Sequence, residues 1–157
     1  MKNIDIQKAT IQDLKAIAKF TDFWLAGRGM KSKAPGAVND YFISPSQHKK
    51  YITKYQTYIV HDNETLIAWA VIQNDGSLIH LLVAGTHRRQ GIGRQLIEYL
   101  EPSQVHSKSN QSSGDPAVFY KKLGYSKIES VKSKSRLDID KIKPDRKKII
   151  DIFQKPR

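Results

Sequence analysis

The sequence contains no cysteine, and this absence excludes several kinds of chemistry. Without thiols the chain can form neither a disulfide framework nor a cysteine-ligated zinc site. No thiolate can act as a nucleophile that carries a substrate group in a covalent intermediate. The five histidines show no metal-ligand spacing and there is no His-Glu-x-x-His motif, so we expect no metal.

Long apolar runs are missing as well. No segment of about 18 or more apolar residues could cross a bilayer as a helix. The first five residues lack the apolar core of a signal peptide, so we expect a cytoplasmic protein. A length of 157 residues suits one domain with a real core and leaves little room for a second.

Acidic residues are few compared with basic ones. The chain has 15 Asp and Glu against 27 Lys and Arg, which gives a formal net charge of +12. From Lys132 to Arg157, ten basic residues minus four acidic residues leave +6. Such a charge attracts anions, including nucleic acid and the ribosome. A basic nucleic-acid or ribosome-associated binding module is therefore one hypothesis, although no nucleic-acid fold signature accompanies the charge.

Apolar periodicity predicts an order of strands and helices. We predict an opening strand at 3–7 and a helix that starts after Thr10, with Asp13 in a capping box. A loop at 27–36, rich in glycine and basic residues, leads to a short helix at 46–55. The other predicted strands are 57–61, 66–73, a central strand from Ser77, 104–107, 125–131 and 135–139; the other predicted helices are 91–101, 115–123 and 145–153.

The stretch 78–97 organises the rest of the chain. It starts as an apolar run of strand length, crosses a basic turn and continues as a helix with Ile92 and Leu96 on one face. Gly91 and Gly93 allow backbone to approach a ligand closely, and the first turn of a helix leaves its N–H groups unpaired. Arg88, Arg89 and Arg94 flank this turn. The pattern is typical of a site for phosphate or pyrophosphate.

Two segments resemble known motifs of one family. Arg-x-x-Gly-x-Gly between an apolar strand and a helix resembles the acyl-coenzyme A binding motif of the GNAT N-acetyltransferase superfamily. Residues 117–125, Ala-Val-Phe-Tyr-Lys-Lys-Leu-Gly-Tyr, are similar to the family's Ala-x-x-Phe-Tyr-x-x-x-Gly-Phe segment. A dinucleotide-binding fold would need a third glycine and a carboxylate after the next strand, and residues 106–108 offer none.

The resemblance covers residues 3–139 and implies the fold. We expect a single α/β (α+β) domain with a mixed, mostly antiparallel sheet of six to seven strands, splayed at its centre and flanked by about four helices. Residues 140–157 would be a basic C-terminal extension that can form a short helix. The chain would be a monomer or a homodimer.

The resemblance also implies acetyl-CoA as the acyl donor. Its pyrophosphate would lie on the backbone of the basic turn, and its pantetheine arm would pair with the central strand. The implied binding residues are Leu81, Val83, Arg88, Arg89, Gln90, Gly91, Ile92, Gly93, Arg94 and Tyr120. The family's usual asparagine seven residues before this tyrosine is Ser113 here, and Asn110 lies three positions earlier.

Two side chains are candidates for proton transfer. By resemblance, Tyr120 lies beside the sulfur and would protonate the leaving thiolate or donate a hydrogen bond to it. His80 lies on the central strand, where family members often carry a base that takes a proton from the amine through water. A histidine in an apolar strand can also be purely structural, and Tyr120 can be a core tyrosine. His61 and His87 are lesser candidates, and His87 would face solvent or phosphate.

These expectations define the hypothesis for the function. The chain would be an acetyltransferase that moves an acetyl group from acetyl-CoA directly to a primary amine. The acceptor stays open among protein N-termini, lysine side chains, polyamines, amino acids, antibiotics and aminoacyl-RNA.

Overall fold

The computed structural model describes residues 4–25, 43–108, 117–132 and 149–155. In this part of the chain the helices are α1 (Leu14–Leu25), α2 (Pro45–Thr53), α3 (Ile92–Leu100) and α4 (Ala117–Lys122). The strands are β1 (Ile4–Lys8), β2 (Gln56–Asp62), β3 (Thr65–Ile72), β4 (Ser77–Val83), β5 (Gln104–Lys108), β6 (Ser126–Lys132) and β7 (Ile149–Gln154). None of these helices is long and apolar enough to cross a membrane.

The seven strands form one sheet in the order β1-β2-β3-β4-β5-β7-β6. Every neighbouring pair is antiparallel except β4 with β5. This parallel pair is joined only at Ser77 with Gln104 and Leu78 with Val105. The two strands therefore separate beyond these positions, and the predicted sheet with a splayed centre and four flanking helices is confirmed.

Helices cover both faces of the sheet, because successive strand residues point to opposite sides. On β3, Trp69 and Val71 belong to one buried cluster and Ala68 and Ala70 to another. The first cluster contains the apolar residues of α1 and α2. The second contains those of α3 and α4, together with Phe153 of β7.

Local sequence explains where α1 begins. The Thr10 backbone N–H donates to Oδ2 of Asp13 at 2.8 Å, which is one half of a capping box. A short 3-10 turn, Ile11–Asp13, leads directly into α1. The capping box predicted from the sequence is confirmed, with aspartate in place of the usual glutamate.

The predicted C-terminal helix is wrong, because Ile149–Gln154 forms β7. Residues 145–153 have apolar positions that suit either a short helix or a buried strand, and periodicity alone does not separate the two. The sheet decides, since β7 lies between β5 and β6 and pairs with both. Phe153 is fully buried there, so burial of this strand favours the extended conformation.

The other predicted elements agree with the structure to within about two residues, the usual uncertainty of element ends. Pro45 is the first residue of α2, and Ser44 caps it by accepting from the Gln47 N–H at 3.2 Å. The predicted loop at 27–36, the strand at 135–139, the helix start at Asp115 and Pro116, and Asn110 and Ser113 lie outside the described residues.

Candidate active site

The separation of β4 from β5 opens a gap in the middle of the sheet. From Ile79 onward, no described strand pairs with the β5 side of β4. On the β3 side, Val71 pairs with His80 and the next residue, Ile72, pairs with Leu78, so Ile79 has no partner in the register. Ile79 is thus the extra residue of a bulge, and a bulge bends its strand and redirects the following side chains.

A tight turn joins β4 to α3. Arg89 has φ of 62° and Gly91 has φ of 81°, so both lie in the left-handed region. Gly91 is the N-cap of α3, and no side chain caps the helix there. The first helical hydrogen bond runs from Gln95 N to Gly91 O. The N–H groups of the first turn therefore have no intrahelical acceptor and face outward from the helix end.

Gly93 brings the turn, β4 and α4 together. A Cβ atom at this position would lie 3.2 Å from Cζ of Phe119 and 3.8 Å from Cδ2 of Leu81. Contacts of 3.2 Å are closer than carbon atoms normally pack. Glycine is therefore what allows the start of α3 to approach both neighbours, and the two sequence motifs meet at this point.

The side chains of the basic turn have different environments. Arg88 is half-buried, and its Nε donates to the Val83 carbonyl at 3.2 Å. Burial lowers the pKa of its guanidinium, which nevertheless stays protonated. Gln90 donates to the Thr86 carbonyl at 3.2 Å, and exposed Arg94 pairs with Glu98 at 2.9 Å. The buried side chain of Ile92 belongs to the core, so only its backbone is available to a ligand.

Tyr120 lies on the α3 and α4 side of the gap. Its ring centroid is 5.5 Å from that of Phe153, and Phe153 lies opposite Val105 on β5. Val105 is also the last β5 residue paired with β4, so Tyr120 packs beside the point where the strands separate. Burial, and to a smaller extent Tyr125, raises the pKa of the Tyr120 phenol above its ordinary value. The hydroxyl is therefore a proton-bearing donor at neutral pH.

His80 lies on the other face of the same gap. It follows the bulge at Ile79, is 6% exposed, and packs against Trp69 with ring centroids 5.5 Å apart. Its Nε2 is 3.0 Å from the hydroxyl of Tyr51 on α2. His80 and Tyr120 thus approach the separation of β4 and β5 from opposite sides of the sheet.

Comparison with known proteins identifies a matching domain family. The model of the acetyltransferase (GNAT) domain matches residues 53–127, which run from the end of α2 to the start of β6. This part of the chain resembles a GNAT acetyltransferase domain. The N-acetyltransferase class predicted from the sequence is thereby confirmed at the level of the domain family. A search of curated proteins finds no match.

Solved structures share the GNAT fold over nearly the whole chain. The ribosomal-protein-S18-alanine N-acetyltransferase from Escherichia coli is 16% identical, with 98% of this chain and 93% of that chain covered and a TM-score of 0.67. An N-acetyltransferase from Staphylococcus aureus is 14% identical, with 97% and 96% covered and a TM-score of 0.66. Arabidopsis thaliana Naa50, in complex with the bisubstrate analogue CoA-Ac-MVNAL, is 12% identical, with 98% and 99% covered and a TM-score of 0.63. These likenesses show the fold alone.

His87, a lesser candidate base, lies in a network of protein contacts. His87 contacts Asp62 through Nε2 at 3.1 Å and Thr86 through Nδ1 at 2.8 Å, so both ring nitrogens already have protein partners. The expectation that His87 faces solvent or phosphate is wrong, because this pairing ties the turn to the end of β2. Among the described residues there is no group of three potential metal ligands.

Sequence reasoning missed the part that α2 plays in this site. Gln47 and Tyr51 are spaced i and i+4, so they share one face of the helix. The spacing of His48, Tyr51 and Ile52, which are all buried in α2, could have indicated a buried helix face. Which strand this face covers is a tertiary property, and the structure places it over His80.

Proposed function

We propose that this GNAT domain transfers an acetyl group from acetyl-CoA directly to a primary amine. The observation that supports the proposal best is the gap between β4 and β5, with an uncapped helix N-terminus at one end. A gap in a sheet exposes backbone N–H and C=O groups, which an extended amide-containing chain such as pantetheine can pair with.

The donor would bind mainly to backbone. The outward N–H groups of Gly91, Ile92, Gly93 and Arg94 suit a pyrophosphate, and the nearby positive charges of Arg88 and Arg89 add attraction. Leu81 and Val83 are half-buried on the strand that borders the gap. The Val83 carbonyl already accepts from Arg88, and a carbonyl oxygen has a second lone pair for a ligand.

Proton transfer would use groups on the two sides of the gap. The acceptor amine must lose a proton, which we assign to His80 directly or through an ordered water. The departing thiolate needs a donor, which we assign to Tyr120. Because burial raises the pKa of this phenol, it stays protonated and can donate a hydrogen bond to the sulfur as charge develops there, while full proton transfer becomes less favourable. Absence of cysteine supports direct transfer without an acyl-enzyme.

Binding of the donor is the first test. The purified protein is titrated calorimetrically with acetyl-CoA and, separately, with a short single-stranded oligonucleotide, each at low and moderate salt. One-to-one binding of acetyl-CoA that survives added salt is expected. Oligonucleotide binding that falls steeply with salt, without acetyl-CoA binding, would overturn the proposal and favour a basic nucleic-acid or ribosome-associated module.

Turnover is the second test. Release of free thiol from acetyl-CoA is measured with a panel of primary amines that includes peptides with free N-termini, lysine peptides, polyamines and amino acids. We expect at least one class to accelerate thiol release well above hydrolysis. The acceptor, the cytoplasmic location and the choice between monomer and homodimer stay predictions.

A further inference from the structure

A chain of hydrogen bonds runs from α2 to the candidate base. Nε2 of Gln47 donates to the Tyr51 hydroxyl at 3.1 Å, and this hydroxyl lies 3.0 Å from Nε2 of His80. Neither Gln47 nor Tyr51 belongs to the motifs that carry the family resemblance. The inference below rests on the proposed function, because it concerns the residue proposed as base.

Counting donors and acceptors decides the direction of the chain. A phenol has one O–H proton to donate and lone pairs to accept with. The Gln47 amide uses a lone pair of the Tyr51 oxygen, so the Tyr51 proton needs an acceptor elsewhere. Tyr51 is 5% exposed, and its hydroxyl has no third partner among the described residues. An O–H buried without an acceptor is costly, so the proton points to His80.

The surrounding rings hold this geometry. Tyr51 stacks on Tyr55 with centroids 6.2 Å apart and packs on His80 at 5.0 Å. The ring of Trp69 also packs against His80, with centroids 5.5 Å apart. Burial raises the pKa of the Tyr51 phenol, which keeps it a neutral donor. Little freedom remains for the imidazole to turn its Nε2 away from Tyr51.

We propose that Tyr51 is the proton relay to His80: its hydroxyl donates to Nε2 and holds the neutral imidazole as the tautomer with the proton on Nδ1. The only ring nitrogen that can then gain a proton is Nε2, and Tyr51 occupies it. Of the direct and indirect routes from the amine to His80, this contact leaves the indirect one, through the Tyr51 hydroxyl. Gln47 orients Tyr51 in turn.

The arrangement defines a route for the proton of the acceptor. An N–H bond of the amine, or an O–H bond of a water that has taken the amine's proton, breaks as the Tyr51 oxygen gains that proton. The original O–H bond of Tyr51 breaks at the same time, and a new N–H bond forms at Nε2 of His80. Tyr51 ends neutral and His80 ends as an imidazolium, so charge and protons balance.

Nuclear magnetic resonance tests the tautomer without any acceptor. In the ¹⁵N-labelled protein, long-range ¹H–¹⁵N correlations distinguish a protonated ring nitrogen from an unprotonated one. The His80 signals are assigned by their loss in His80→Gln. We expect a protonated Nδ1 and an unprotonated Nε2. A protonated Nε2 would overturn the proposal, since the Gln47 amide would then present its oxygen to Tyr51.

Two variants separate positioning from packing. Tyr51→Phe keeps the ring and removes the hydroxyl, so the His80 tautomer should shift towards a mixture. Tyr55→Phe is the matched control, because it removes a hydroxyl from the adjacent stacked ring and should leave the tautomer unchanged. An unchanged tautomer in Tyr51→Phe, with the fold verified by thermal melting, would overturn the proposal.

Kinetics then connect the tautomer to turnover. With an acceptor from the amine panel, Tyr51→Phe should lower kcat about 100-fold, in the range of a lost proton-transfer group, with an unchanged KM for acetyl-CoA. A wild-type kcat in this variant would contradict the relay. If the wild-type protein acetylates no amine, the proposed function fails, while the tautomer measurement still decides the role of Tyr51.

Discussion

The clearest structural prediction concerns Phe153, the buried aromatic residue of β7. Its side chain is fully buried, packs 5.5 Å from the ring of Tyr120, and lies opposite Val105. Replacing a buried phenylalanine by alanine removes apolar contact and leaves a cavity, which typically costs about 3–5 kcal/mol. For a protein of this size, such a loss lowers the melting temperature by about 6–20 °C, at about 2–4 °C per kcal/mol.

Urea denaturation of Phe153→Ala measures this loss. Phe23→Ala deletes the same atoms from a residue that is 44% exposed, so it should cost much less and serves as the control. Phe153→Leu should recover much of the stability, because it refills part of the cavity. If the free energy of unfolding of Phe153→Ala were less than about 1 kcal/mol below that of the wild type, the argument that β7 is part of the core would be refuted.

Three further predictions address the turn, the acid and a buried histidine. In Gly91→Ala and Gly124→Ala the new Cβ atom lies in open space, but the backbone has φ of 81° and 92°. Each variant should therefore lose about 1–2 kcal/mol of folding free energy through backbone strain alone. Only Gly91→Ala should weaken acetyl-CoA binding by calorimetry, and equal weakening by both would contradict the pyrophosphate assignment. Tyr120→Phe should lower kcat with little change in acetyl-CoA affinity, and full turnover with chemistry rate-limiting would exclude the acid role. Burial lowers the pKa of His48 from 6.5 to about 4, so the unfolded chain gains its proton first as pH falls. As the pH falls from 6.5 to 4, the free energy of unfolding should therefore decrease by about 3 kcal/mol more in the wild type than in His48→Phe. Urea denaturation across this pH range measures the difference, and parallel pH dependences of the two proteins would refute the prediction.

The meeting of both sequence motifs at Gly93 explains a constraint that neither motif shows by itself. Gly93 was predicted to allow close approach of a ligand, but the structure shows close approach of Phe119 and Leu81. The glycine therefore serves the packing of α3 against α4 and β4. Large substitutions at Gly93 would disturb the core, so Gly91, with open space around it, is the better position at which to test donor binding.

The sequence by itself determined those features that depend on neighbouring residues. The turn before α3 could be predicted because glycines and the ends of helices impose local backbone geometry, and Gly91 does adopt a left-handed conformation. The capping box at Thr10 and Asp13 is local in the same way. The central strands were predicted because their apolar side chains are buried on both faces of the sheet.

Only the tertiary structure decided features that depend on residues far apart in the chain. Residues 149–154 form a strand because they pair with both β5 and β6 in the sheet, and the local sequence pattern does not predict this pairing. His80 and His87 are the same residue type, but Tyr51 contacts the first from 29 positions away and Asp62 contacts the second from 25. Hydrogen-bond partners set a histidine's tautomer and orientation, so the chemistry of each imidazole follows from the fold that supplies its partner.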